Sequence, residues 1–193
     1  MTFNHDLHIT GDPVADALVS RDPLALLLGM LLDQQIPMEV AFQGPAKLLG
    51  RLGHLDAARI CELDPEAFGA VMATSPAVHR FPGSMGQRVQ ALCWVIANEY
   101  GNDASALWID ATTGPELLAR IKILPGFGDQ KARIFVALLG KQLTVQPTGW
   151  RGAAGGYGEA GVTKSVADVT SPETLLQVRA FKQAAKKAAK GVG

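Results

Sequence analysis

Leu124-Pro125-Gly126-Phe127-Gly128-Asp129-Gln130-Lys131-Ala132 is the stretch that decides the fold of this chain. Upstream, Thr113-Gly114-Pro115-Glu116 has the form of a helix start, a hydroxyl cap followed by proline in the first turn, and predicts a helix to about Ile123. Downstream, Ala132, Phe135, Val136 and Leu139 recur at helical spacing and predict a second helix from about Asp129 to Gly140. Joined through Pro-Gly-Phe-Gly, the two make a hairpin whose second helix opens with unpaired main-chain N–H groups at the positive end of its dipole, a ready anion site. Glycine at 126 and 128 suits a turn with positive φ or the close approach of a phosphate, while Phe127 can anchor the turn. Leu124 leads into the turn, Lys122 precedes it, and Lys131 and Arg133 follow it, Lys131 within the first helical turn where phosphate oxygens are in reach. Such contacts position a protein on nucleic acid without reading its sequence. An ordinary helical corner uses Pro and Gly in the same way, so the turn alone leaves both readings open.

Outward from the hairpin the chain is helical. Asp22-Pro23 reads as an N-cap with proline at the first helical position, opening an apolar run from Leu24 to Leu32 that must be buried on most sides. A helix from Met38 to Arg51, ended by Gly53, turns Val40, Phe42, Ala46, Leu48 and Leu49 toward the core. Asp56 to Cys61 makes a further turn or two, and Asp64-Pro65 opens another short helix. His79 to Ser84, with Pro82 and Gly83, reads as a loop before an amphipathic helix marked by Val89, Leu92, Cys93 and Ile96 that ends near Gly101. Thr148 to Gly161 is a glycine-rich loop interleaved with Trp150 and Tyr157, and Ser171-Pro172-Glu173 caps a last helix to about Lys190, packed through Leu175, Val178, Phe181 and Ala185. No internal repeat and no alternating strand pattern appears, so the expected class is all-α.

Composition bounds the function. With 48% hydrophobic and 19% charged residues, the chain has the means to bury a large core and is not of disordered composition. A formal net charge of +0 argues against indiscriminate coating of nucleic acid and makes the placement of charge decisive. Arg179, Lys182, Lys186 and Lys190 form a basic stripe at helical spacing, suited to a phosphate backbone or to solvent. Cys61 and Cys93 lack any paired metal or redox spacing, and His5, His8, His54 and His79 show no ligand spacing, so no metal site is expected. No apolar run approaches the roughly 18 residues a membrane helix needs. The amino-terminal residues lack a basic-then-apolar export pattern. The expected location is cytoplasmic, with nucleoid association in a bacterium.

The hairpin segment resembles the signature of the helix-hairpin-helix (HhH-GPD) DNA glycosylase superfamily. Asp22 to Ile36, with Asp33-Gln34-Gln35 at its end, resembles the first core helix of that family, and Met85 to Leu92 resembles the helix that precedes the hairpin pair. The resemblance runs from about Asp22 to Trp150. It implies an all-α unit over 1–193 with two lobes around a cleft, a helical lobe of about 35–123 and a hairpin lobe made of about 1–34 plus 124–193. It further implies double-stranded DNA as partner, bent across the cleft with one damaged base flipped out, bound by a monomer. Gln34 and Gln35 become candidates for contacting the flipped base or filling its place, and Trp150 and Tyr157 for stacking on it in the base pocket, or else for anchoring the glycine-rich loop.

Two departures from the family shape the expected chemistry. In glycosylase/lyases of the superfamily a lysine two residues after the second hairpin glycine forms a Schiff base; here that residue is Gln130, whose amide is no nucleophile. Lys131 is one position on, about 100° around an ideal helix, so no β-lyase activity is expected. Relatives also carry an aspartate after the second hairpin helix, whereas Leu143 to Trp150 holds no carboxylate. Asp33 and Gln146 are the candidates to act in its stead, Asp33 as the charge and Gln146 as the orienter of a water. An alkylated purine is cationic and leaves readily, so the reading is a monofunctional alkylbase glycosylase, with a noncatalytic DNA-damage binder or a protein-docking helical scaffold as alternatives. No cysteine follows Trp150, so no iron–sulfur cluster is implied, although the resemblance admits a carbonyl-bound monovalent cation at the hairpin.

Overall fold

The computed structural model describes residues 6–190, without the side chains of residues 186, 189 and 190; His5, Lys186 and Lys190 of the sequence reading therefore lie outside the described side chains. Among the described residues every regular element is helical, and the only extended pairing is an isolated bridge between Thr113 and Thr148. The all-α class follows.

Aspartate–proline pairs set the first boundaries. Asp12 accepts from the N–H groups of Val14 and Ala15 and starts α1 (Pro13–Arg21). Asp22 ends α1 by donating its own N–H to Leu18 and starts α2 (Pro23–Leu32) by accepting from Ala25 N. Every residue of α2 from Leu24 onward is buried, as its apolar run requires. It packs between α1, α3 (Met38–Leu52) and α6 (Pro82–Glu99). Phe42 of α3 lies against Gly29 of α2, where a Cβ would meet the ring at 2.6 Å. Gly53, in the left-handed region at φ 76°, ends α3.

α4 (Ala57–Cys61) and α5 (Pro65–Ala73) cover α6. The short α7 (Ala106–Ile109) leads to α8 (Gly114–Lys122), and the hairpin turn joins α8 to α9 (Asp129–Gln142). α10 (Trp150–Ala154) packs on α8 and α9. The 3-10 turn Val166–Asp168 ties α9 to the terminal helix α11 (Pro172–Lys190). That turn is held by a capping box between Ser165 and Asp168, and Asp168 is buried in an ion pair with Lys141 at 2.5 Å. The buried side chains of these elements make one continuous hydrophobic cluster.

Four local expectations change. Pro82 and Gly83 are the first residues of α6, not loop, because proline without an N–H suits a first helical turn. Residues 150–157 are helical where the glycines suggested a loop, since Trp150 is anchored in the core. Val40 faces outward at the start of α3, with Phe42 and Leu48 taking the core positions. Among the described side chains of α11 only Val178 is fully buried, and Leu175 is half-buried; Phe181 and Ala185 are exposed on the wall of a cavity.

Candidate functional site

The hairpin turn is pinned from beneath and open above. Leu124 and Phe127 are buried, Phe127 tilted against Phe135 with ring centroids 6.0 Å apart, and Phe127 N donates to Leu124 O at 3.1 Å. Gly126 has φ 82°, while Gly128, the N-cap of α9, has an ordinary φ of −79° and open space where a Cβ would stand. Both glycines are exposed. Asp129 at the first position of α9 would repel an anion, but it is bridged by Arg133 at 2.7 Å and Lys122 at 2.8 Å, which hold its carboxyl down to about 2.

Beside the turn opens a cavity of about 880 Å³. Its wall brings together Asp33, Gln34 and Gln35 from the end of α2, Gly126 and Gly128 to Lys131 from the hairpin, Tyr157 from the glycine-rich segment and Lys164 just after it, and Phe181 and Lys182 from α11. The α2 end reaches it because the helix stops at Asp33 and the chain turns through Gln35 in the left-handed region, φ 60°. Gln34 is clamped on both sides: its carbonyl accepts from His79 Nε2 at 2.9 Å and its Oε1 from Arg88 Nη1 at 2.7 Å. His79 Nδ1 accepts from Phe81 N at 3.0 Å, which assigns a neutral ring protonated at Nε2. Burial lowers the His79 pKa in the same sense.

Asp33 is the carboxylate nearest the α2 end of this cavity. Its side chain is 12% exposed and pairs with Lys182 Nζ at 3.5 Å. Lys131 turns inward instead of lying along the outer face of the hairpin: its Nζ donates to Leu31 O at 2.7 Å and lies 5.8 Å from the centre of the Phe127 ring. Burial pushes its pKa down to about 8, against the opposing pull of Asp33. Its amine thus caps the carbonyl end of α2 from the hairpin helix, joining the two parts of the site.

Six of the residues singled out from sequence, Asp33, Gln34, Gln35, Gly126, Gly128 and Lys131, therefore share one cavity. Leu124 and Phe127 support the turn from within. Two stand elsewhere. Gln146 is exposed and gives its amide to Gly140 O at 2.8 Å, outside the cavity wall. Trp150, 7% exposed, is seated against Gly114 and Gly140, with Arg151 stacked 4.4 Å from its ring centre, so it serves the core at this position. Lys164 is a wall residue that no sequence signal singled out, whereas Tyr157, an aromatic ring set among glycines, and Phe181, placed by helical spacing on the last helix, also stand on the wall.

Fold and site define an all-helical protein with an open cavity beside a glycine turn. No protein-family model matches the chain, and no curated protein matches it. No helix among the described residues is long and apolar enough to cross a membrane.

Proposed function

We propose that the chain is a base-excision repair protein of the helix-hairpin-helix type, a monofunctional DNA N-glycosylase acting on an alkylated base flipped out of duplex DNA. In this reading the helices of about 35–123 form one lobe, the hairpin and its flanking sequence the other, and the cavity lies in the cleft between them. The observation that carries it is convergence: the exposed hairpin glycines and Asp33-Gln34-Gln35, remote in sequence, border one cavity of nucleotide-accommodating size. An enzyme acting on a base must extract it, because the reacting atoms are hidden in the stack.

The chain's own groups divide the work. Main-chain N–H groups at Gly128 and the start of α9 hold a phosphate; Gln34 and Gln35 fill the space beside the extruded nucleotide. The Asp33 carboxylate, released from Lys182, faces the positive charge that grows on the sugar as the C1′–N bond breaks. Water adds to C1′ and gives up its proton, and the cationic alkylpurine departs neutral with the bonding electrons. Gln130 offers no amine for a Schiff base, so the product is an intact abasic site. No cofactor takes part in these steps; a monovalent ion at the hairpin would be held by main-chain carbonyls and have a structural role.

The test is release of 3-methyladenine and 7-methylguanine from methylated duplex DNA by wild-type, Asp33→Asn and Gln146→Ala proteins. The expectation is release by wild-type and Gln146→Ala, and a loss of about a hundredfold in Asp33→Asn, the scale of removing one transition-state electrostatic partner. The existing Asp33–Lys182 pair and the absence of a carboxylate in 143–150 favour one second reading, a noncatalytic binder of damaged DNA. Tight binding of methylated duplex with no base released would establish that reading and end the catalytic one.

A further inference from the structure

We propose that the distal half of α11 is a latch on the cavity: Arg179 and Lys182 hold it shut on Glu39 and Asp33, and a phosphate backbone draws it open by taking both cations. The inference rests on the nucleic-acid side of the reading above. α11 is rooted near its start, where Val178 is buried, Leu175 half-buried, and the helix packs on the 3-10 turn Val166–Asp168. From Arg179 onward no described side chain is buried. What reaches across is ionic: Arg179 Nη1 meets Glu39 Oε1 at 3.1 Å, and Lys182 Nζ meets Asp33 Oδ2 at 3.5 Å. Three residues apart, the two cations share one helix face. Phe181, Lys182 and Ala185 thereby stand in the cavity wall.

The two pairs are asymmetric in a way that suits release. The carboxylates are sheltered, Glu39 14% and Asp33 12% exposed, whereas Arg179 and Lys182 are 48% and 38% exposed. An anion arriving from solvent therefore reaches the cations while they are still paired, and exchange needs no prior opening. Ion pairs this exposed are individually weak. A nucleic-acid backbone offers phosphates in series and gains from the release of its counterions. The sequence of α11 supplies a surplus of positive charge for it: Lys186, Lys187 and Lys190 follow Arg179 and Lys182, against Glu173 as the acidic residue of the helix. Residues 182–190 are all alanine, lysine and glutamine, strong helix formers, so the lifted arm stays helical. Once Lys182 leaves, Lys131, whose titration already feels Asp33, is the cation that stays by that carboxylate. The latch thus couples the uncovering of Asp33 to the arrival of the strand.

The experiment measures the distance between nitroxide labels at Gln183→Cys on α11 and Ala91→Cys on α6, both exposed, in a Cys61→Ser background, Cys93 being buried. Free protein should give one dominant distance, and a saturating duplex bearing a tetrahydrofuran abasic analogue should replace it with another. Without DNA, Glu39→Gln should raise the open population about threefold, the scale of one partly exposed ion pair. The charge swap Glu39→Arg with Arg179→Glu should return that population to the wild-type level, which a general loosening of the fold would not do. By linkage Glu39→Gln should bind the duplex about threefold tighter, while Glu62→Gln, the same loss of charge outside the cavity wall, should change affinity less. An unchanged distance in protein saturated with duplex, or equal populations in wild type and Glu39→Gln, overturns the latch and leaves the repair reading intact. A protein that binds no duplex overturns both.

Discussion

Two groups of glycines serve opposite ends in this molecule. Gly114 and Gly140 form the socket of Trp150: a Cβ on Gly114 would meet the Trp150 backbone at 2.5 Å, and one on Gly140 would run into the indole ring. At the hairpin, Gly128 has ordinary φ and empty space around it, and nothing in the folded chain demands a glycine there. The first pair is glycine because of what lies inside the protein. In the proposed reading Gly128 is kept small for what comes from outside, a bound phosphate backbone.

Alanine substitutions sharpen this contrast. Gly114→Ala should have the largest effect, because backbone must move against backbone; a loss of about 3 kcal/mol or more is expected, at the upper end of overpacking costs, measured by denaturant unfolding. Gly140→Ala should cost about 1–3 kcal/mol, since the collision is with a side-chain ring and not with backbone. Gly126→Ala should cost about 1–2 kcal/mol from its left-handed φ, the Leu31 side chain beneath it being able to swing aside. Gly128→Ala should cost under about 1 kcal/mol as an N-cap change, yet weaken binding to an abasic-analogue duplex about tenfold. If its binding were unchanged, the contrast between the two groups would lose its functional side.

A further expected effect concerns pH. Lys131 has its pKa lowered to about 8 by burial, so its charge is carried at a cost in the folded state. Between pH 8 and the ordinary lysine range the unfolded chain binds more protons than the folded one, and stability rises with pH over that window. Measured against Lys131→Met, which lacks the titration, the wild-type unfolding midpoint should gain as pH goes from about 7 to about 10. A difference that stays flat would mean the amine is solvated, with its bond to Leu31 no burden.

Much of the fold was legible because its boundaries are chemical. Asp22-Pro23, Asp64-Pro65, Thr113-Gly114-Pro115 and Ser171-Pro172 each start a helix as local rules require. α1 starts from the same Asp-Pro signature but escaped notice because its apolar pattern is weak, and its packing on α2 and α3 does the rest. The glycine-rich segment was opaque for a different reason. Its helical turns depend on Trp150 reaching a socket made by Gly114 and Gly140, residues on two other helices. The same tertiary fact takes Trp150 into the core and leaves Tyr157 on the cavity wall. The α2 end and the hairpin were legible as motifs, whereas the Lys131–Leu31 and Lys182–Asp33 contacts that join the site have no sequence period to betray them.

The hairpin amides are proposed to meet nucleic acid, and a nitrogen–proton correlation spectrum of the labelled protein titrated with abasic-analogue duplex reads those amides one by one. The amides of Gly128, Asp129 and Gln130 should shift most, with Gln34 and Gln35 moving alongside. Shifts confined to other surfaces, with these five signals in place at saturation, would contradict the account.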